Sequence, residues 1–110
     1  MNWQLIQRAD ESGHVYAELQ WDERPGNTFE MHLDVEESHR RKGVGRGMVQ
    51  ELEALAKRRG GMALYTFMAA DNDMAIMFFR AMGFLLHEAP GFYGAGRGAY
   101  LGVKTIGRPR

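Results

Sequence analysis

The feature that most constrains the fold is a change of hydrophobic period across a cluster of glycines and basic residues. From Thr28 to Val35 apolar and polar residues alternate, which is typical of a strand with one buried face. From Val44 onward the apolar residues recur at helical spacing. The cluster between them reads Arg40-Arg41-Lys42-Gly43-Val44-Gly45-Arg46-Gly47. The chain is therefore predicted to contain a strand that leads through a basic turn into an amphipathic helix.

Further elements can be placed on both sides of this junction. Strands are predicted at Trp3 to Arg8, His14 to Trp21, Thr28 to Val35, Met62 to Met68, Phe84 to His87 and Ala99 to Lys104. The first helix ends at Gly60-Gly61, and a second runs from Asn72 to Met82, with Asp71 or Asn72 as N-cap and Gly83 as its stop. Residues 91 to 98 are a glycine-rich connection, and residues 107 to 110 are a loose tail. The order predicts an α/β (α+β) fold: a twisted, mixed, mostly antiparallel sheet of about six strands with two main helices and one parallel pair.

Composition narrows the classes of function. A chain of 110 residues suits one domain, spanning 1–110. Fourteen basic residues balance fourteen acidic ones, so no overall positive field indicates a nucleic-acid partner. The absence of cysteine excludes disulfides and thiolate metal sites, and no metal is expected. No apolar run is long enough to cross a membrane and no leader segment is visible, which predicts a cytoplasmic protein without membrane attachment.

The basic turn is suited to a phosphate group. Glycines let an anion reach the backbone N–H groups, and a helix N-terminus adds a partial positive charge. Two common phosphate motifs do not fit. The sequence G-x-x-x-x-G-K-[ST] is absent, and Met48 stands where the dinucleotide fingerprint requires a glycine. The turn therefore predicts a local pyrophosphate site of another kind.

Two motifs in register resemble the GNAT acetyltransferase superfamily. The pattern [RQ]-x-x-G-x-[GA] is matched by the six residues from Arg40 to Gly45. The signature N-x-x-A-I-x-x-Y-x-x-x-G-F is matched from Asn72 to Phe84, except that Phe79 replaces the tyrosine. The resemblance covers roughly residues 13 to 104. It implies a minimal form of the domain, without the N-terminal strand and two helices that usually build one wall of the acceptor site.

The resemblance also implies a co-substrate and the residues that bind it. Members of this superfamily transfer acetyl from acetyl-CoA to a primary amine, here expected to be a small molecule or a peptide or protein N-terminus. Their basic loop wraps the pyrophosphate, and the preceding strand splays from its neighbour so that its backbone pairs with the pantetheine amides. Carried over to this chain, the cofactor-binding residues are Leu33, Val35, Arg40, Arg41, Lys42, Gly43, Val44, Gly45, Arg46, Gly47, Asn72, Ala75, Phe78 and Phe79.

Two departures bear on catalysis. The family commonly uses a tyrosine at the position of Phe79 to protonate the departing thiolate, and the subgroup that acetylates ribosomal-protein N-termini has a glutamate base at the position of Phe67. The remaining candidates for a base are Glu30, His32 and Asp34, which share one face of the strand that is expected to border the substrate cleft. Tyr93 is the candidate replacement for the acid, and Tyr65 is a second one. The predicted catalytic residues are therefore Glu30, His32 and Tyr93.

Rival hypotheses follow from the same departures. Without an acid at Phe79 and a base at Phe67, the chain could be an acyl-CoA-binding module that has lost catalysis. It could also be a subunit of a dimeric or partnered acetyltransferase, because an uncovered edge strand favours pairing into a homodimer. A nucleic-acid adaptor that uses the basic turn is disfavoured by the balanced charge.

Overall fold

The computed structural model describes residues 3–89 and 98–107, and its elements follow the predicted order. The strands are β1 (Gln4–Ala9), β2 (Val15–Arg24), β3 (Thr28–Val35), β4 (Ala63–Ala69), β5 (Leu85–Glu88) and β6 (Ala99–Thr105). The helices are α1 (Val44–Arg58) and α2 (Asp73–Ala81), and a short 3-10 turn, Glu37–His39, precedes the basic turn. These elements form the predicted fold class.

The six strands form one mixed sheet in the order β1-β2-β3-β4-β6-β5. All neighbouring pairs are antiparallel except β3 and β4, which are parallel. Helix α1 makes the crossover between these two strands, as parallel neighbours require. The predicted sheet, mostly antiparallel with one parallel pair, is confirmed.

Both helices pack on the same face of the sheet, where the core lies. Along β3 this face carries Phe29 and Met31, which are 2% and 0% exposed. Helix α1 contributes Met48 and Leu52, both fully buried, from the apolar stripe that the sequence shows. Burying one such side chain stabilises the fold by about 1.5–3 kcal/mol. The apolar residues of the alternating pattern in β3 and those of the helical pattern in α1 therefore pack in one core.

The opposite face of the sheet, which we call the helix-free face, is covered by no helix of the described residues. Side chains on this face alternate with the core residues along each strand. On β3 they are Thr28, Glu30, His32 and Asp34, and on β4 they are Tyr65 and Phe67. The neighbouring strands extend this face differently on its two sides. Strand β2 adds charged residues, β6 adds apolar ones, and β5 adds Leu85 and the exposed His87.

Several predicted boundaries are corrected. Strand β2 continues to Arg24, so the turn is only Pro25 to Asn27 rather than residues 22 to 27. That turn has a positive φ at Gly26 and Asn27, 82° and 59°, which glycine and asparagine tolerate. Strands β1, β2, β4 and β5 each begin one residue later than predicted. The glycine-rich connection lies almost wholly outside the described residues, and so does most of the tail. No helix of the described ranges combines the length and apolarity needed to cross a membrane.

Candidate active site

A cleft opens where β3 and β4 separate. The two strands pair only over Thr28 to Glu30 and Ala63 to Tyr65, whereas β4 stays paired with β6 as far as Ala69. A cavity of about 280 Å³ lies in the gap, lined by His32, Leu33, Thr66, Phe67, Met68, Ala69, Asn72, Ala75 and Phe79. Both helices start at this end of the sheet, since each follows the carboxyl end of one of the parallel strands. Ligands of open α/β sheets bind at such ends.

The basic turn places uncapped N–H groups at the start of α1. Gly43 is the N-cap residue, has φ 79° and provides no side-chain cap. The Gly47 N–H already donates to the Gly43 carbonyl at 3.0 Å. The N–H groups of residues 44 to 46 precede this first helical bond and have no intrahelical acceptor. Arg41, with φ 64°, holds an uncommon backbone conformation just before them. These features fit the pyrophosphate group that the resemblance implies.

Glycine at position 45 allows α1 to approach the cleft. A Cβ at Gly45 would lie 3.2 Å from Leu33 Cδ2 and 3.3 Å from Phe78 Cζ, whereas a Cβ at Gly47 would meet nothing within 4 Å. The first turn of α1 therefore packs closely against β3 and α2, and the outer surface beside Gly47 remains open. Arg40 has a different role, because its Nε donates to the Val35 carbonyl at 2.8 Å and ties the turn to the end of β3.

Helix α2 borders the other side of the cleft. The Asn72 side chain accepts a hydrogen bond from the Ala75 N–H at 3.2 Å, so Asn72 is the N-cap and Asp71 is not. Phe79 is 6% exposed, lines the cavity and packs edge-on against Phe78 and Phe84. No hydroxyl is present at this position to protonate a leaving group. Phe78 packs close to Gly45 in the first turn of α1 and does not line the cavity.

Glu30 is the centre of a polar cluster on the helix-free face, beside the mouth of the cleft. Its Oε2 is 3.0 Å from His32 Nε2, and its Oε1 accepts from Arg24 Nε at 3.0 Å and from the Tyr65 hydroxyl at 3.3 Å. His32 lines the cavity, and Glu30 does not. The His32 ring also meets the edge of Trp3 at 5.2 Å between centroids. The arrangement gives His32 a carboxylate partner and a fixed position at the cleft.

The structure brings two of the three predicted catalytic residues together. Glu30 and His32 are in direct contact, whereas Tyr93 lies outside the described residues. Tyr65 is a strand residue whose hydroxyl donates to Glu30; burial raises its pKa, and the Glu30 carboxylate raises it further. A phenol with a raised pKa and a carboxylate acceptor is poorly suited to protonate a thiolate in the cavity. Among the described residues no group of three acidic or histidine side chains could hold a metal ion.

Sequence reasoning missed Arg24 and Trp3. The predicted turn of residues 22 to 27 includes Arg24, although the alternation of β2 places it on the same face as Asp22, the cross-strand neighbour of Glu30. Its guanidinium also lies 5.1 Å from the Trp3 ring. Extending the period-two pattern three residues further would have identified Arg24. No sequence signal marks Trp3, because its contacts depend on the register of the sheet.

Comparisons with known proteins agree with this geometry. Residues 8–84 match the family model described as the acetyltransferase (GNAT) family. No curated protein matches at a significant level. Among solved structures, a candidate phosphinothricin N-acetyltransferase is 25% identical with a TM-score of 0.78, and the match covers 94% of this chain and 72% of that one.

Two further structures show the same fold at lower identity. The ribosomal-protein-S18-alanine N-acetyltransferase of Escherichia coli is 18% identical with a TM-score of 0.81, covering 98% of this chain and 72% of that one. An aminoglycoside 6'-N-acetyltransferase complexed with coenzyme A is 19% identical with a TM-score of 0.79, covering 96% and 73%.

Proposed function

Because the chain belongs to the acetyltransferase (GNAT) family, we propose that it transfers acetyl from acetyl-CoA to a primary amine, either a small molecule or a peptide N-terminus. The observation that carries the proposal is the cavity of about 280 Å³ between β3 and β4, which is lined by His32, the partner of Glu30, and by Leu33, against which Gly45 of the basic turn packs. The cavity therefore lies between the proposed cofactor site at the start of α1 and the proposed base His32.

The cofactor is proposed to lie along the helix side of the cleft. Its pyrophosphate meets the uncapped N–H groups at the start of α1, where Arg41, Lys42 and Arg46 are exposed and add positive charge. Its pantetheine arm follows the unpaired part of β3 past Leu33. Asn72 and Ala75, at the start of α2, form the opposite wall. The thioester then reaches the gap between the strands, close to His32.

His32 is proposed to act as the base, with Glu30 as the residue that positions it. An amine that enters from the helix-free face reaches His32 at the mouth of the cleft. His32 accepts a proton from the ammonium form, and the Glu30 carboxylate stabilises the imidazolium through its contact with Nε2. The free amine nitrogen attacks the thioester carbonyl carbon. The new N–C bond forms as the C–S bond breaks, and the extra proton on nitrogen passes to solvent.

The leaving group departs without an acid at position 79, although more slowly. A thiol has a pKa of about 8.5, so coenzyme A departs readily as the thiolate and takes a proton from water. General acid catalysis contributes about 10²- to 10⁴-fold where it operates. We place the loss from the missing hydroxyl at the lower end of this range.

The cofactor half of the proposal is tested by thermal stabilisation with coenzyme A. Arg46→Ala is expected to reduce the stabilisation, because it removes a positive charge beside the uncapped N–H groups. Arg58→Ala is the matched control, since Arg58 is equally exposed at the other end of the same helix. Equal stabilisation of both variants would count against the proposed pyrophosphate position.

The catalytic half is tested by thiol release from acetyl-CoA in the presence of primary amines. His32→Gln is expected to lower kcat by about 10²-fold or more while coenzyme A still stabilises the variant. His14→Gln is the control, because His14 is an exposed histidine paired with Glu36 away from the cleft. Stabilisation by coenzyme A without thiol release from the wild-type protein would instead support an acyl-CoA-binding module.

A further inference from the structure

The helix-free face carries a set of apolar side chains next to the cleft. On neighbouring strands Leu85, Val103 and Tyr65 form one row, and in the next row Leu101 lies between Phe67 and the polar His87. Leu85 is 69% exposed, and Leu101, Val103 and Tyr65 are half-buried. We call Tyr65, Leu85, Leu101 and Val103 the apolar floor. Apolar side chains that adjoin a cleft offer a surface on which the apolar part of a ligand can pack.

The apolar floor is continuous with the proposed acceptor end of the cleft. Phe67 and His32 both line the cavity, and Leu101 is the cross-strand neighbour of Phe67. Tyr65 joins the floor to the polar cluster, because its hydroxyl donates to Glu30. From β4 the floor extends across β6 to β5, two strand spacings or about 10 Å. An acceptor with its nitrogen at His32 would therefore lay the rest of its structure on these side chains.

The other half of the same face is acidic. The acidic side chains on this face of β2 and β3 are Glu18, Asp22, Glu30 and Asp34. Among the described residues of these two strands, Arg24 is the single cation on the same face. Their net negative potential attracts an ammonium group and disfavours a carboxylate. The face thus has a negatively charged region around the proposed base His32 and an apolar region beyond it.

A second copy of the chain suits this floor less well. Three strands by two rows give roughly 200 Å², whereas a stable interface buries about 800 Å² on each partner. A larger contact would extend over the acidic strands and desolvate their carboxylates. The small patch fits one apolar chain or ring.

We propose that the acceptor is an amphiphilic primary amine, whose nitrogen lies at His32 and whose unbranched alkyl chain or ring lies on the apolar floor. This inference rests on the proposed acetyl transfer. The nitrogen lies at β3, so the chain crosses three strand spacings to β5, or about 14 Å, which corresponds to roughly eleven carbons. Longer chains would pass beyond Leu85, at the edge of the sheet, and gain nothing more.

The experiment measures kcat/KM for thiol release with n-alkylamines from ethylamine to tetradecylamine. The basicity of these amines is nearly constant, so their differences report binding. We expect kcat/KM to rise about twofold for each methylene as far as undecylamine and then to level off, as half-burial of each methylene gives. An ether-containing amine of the same length as undecylamine is expected to lose most of the gain.

Variants test whether the gain comes from the floor. Leu101→Ala is expected to reduce the ratio of undecylamine to ethylamine kcat/KM about three- to tenfold, and Leu85→Ala about twofold. Leu85→Ala shortens an exposed side chain and should leave folding intact. It therefore still tests the apolar floor if Leu101→Ala does not fold. Met77→Ala is the matched control, since Met77 is 71% exposed on α2, away from this face, and its ratio should not change.

Each outcome decides the inference. Thiol release that does not depend on chain length, or a gain that both floor variants retain, overturns the apolar subsite and leaves acetyl transfer intact. No thiol release with any amine of the series overturns the proposed function and the subsite together. A homodimer that Leu85→Ala dissociates in sedimentation velocity would show that a second copy covers the floor, and would also overturn the subsite.

Discussion

Replacing either of two glycines in the first turn of α1 separates helix propensity from packing against the cleft. Gly45 and Gly47 both lie within α1. Alanine at either position lowers the conformational entropy of the unfolded chain and favours the helix by about 0.5–1 kcal/mol. The surroundings differ, since a Cβ at Gly47 meets nothing within 4 Å and one at Gly45 lies 3.2 Å from Leu33 and 3.3 Å from Phe78.

The expected magnitudes follow from these distances. At Gly45 the new methyl is a few tenths of an ångström too close to two side chains, and overpacking of this size costs about 1 kcal/mol, the lower end of its range. That cost cancels the gain in propensity. We therefore expect Gly47→Ala to raise Tm by about 2–4 °C and Gly45→Ala to leave it within about 1 °C of the wild type. Gly45→Val adds two further methyl groups at Leu33 and Phe78 and should destabilise by about 2–3 kcal/mol.

The assay is thermal unfolding with and without coenzyme A. Leu33 lines the cavity, so displacement of Leu33 in Gly45→Val should also reduce the stabilisation by coenzyme A. Equal gains in Tm for Gly45→Ala and Gly47→Ala would refute the reasoning, because they would show that α1 does not approach Leu33 and Phe78 closely.

Three further predictions concern single side chains. Asn72→Ala removes the cap of α2 and should lower stability by about 1 kcal/mol in urea unfolding, whereas Asn72→Ser should retain most of it. Phe79→Tyr places a hydroxyl at the cleft and should raise kcat for thiol release by up to about 10²-fold; no gain would argue for a module without catalysis. The Glu36 carboxylate raises the pKa of His14 above 6.5. The pair therefore stabilises the fold fully below pH 6.5, and this contribution is lost as pH rises through the raised pKa. Both side chains are about half exposed, so His14→Gln should remove a small decline in Tm toward high pH that 1 M salt also removes.

The fold was largely predictable because its signals are local. Alternation in β3 and helical spacing in α1 each specify the buried face of one element, and Thr28–Val35 has the predicted bounds in the structure. The boundary of β2 was wrong because Asp22, Glu23 and Arg24 resemble a polar turn. In the sheet their polar side chains are accommodated at the end of a hairpin, where Arg24 pairs with Glu30.

The candidate site was predictable in part. The glycine turn and Asn72 could be found because backbone geometry at a helix start restricts the residue types. The contact of His32 with Glu30 could be anticipated from their alternation, but their contacts with Trp3, Arg24 and Tyr65 join four strands or chain segments. Such contacts depend on the register of the sheet, which one sequence does not specify. The apolar floor was missed for the same reason, since Leu85, Leu101 and Val103 become neighbours only after β6 pairs with β4 and β5.

The central claim is that the cleft between β3 and β4 transfers acetyl to an amine with the help of His32. The most direct measurement is single-turnover formation of N-acetyl-octylamine from acetyl-CoA, followed by mass spectrometry in the wild type and in His32→Gln. The account predicts that product and free coenzyme A form in equal amounts, and that the variant binds coenzyme A but forms product about 10²-fold more slowly. Coenzyme A binding without product in the wild type, or equal rates in both proteins, would contradict it.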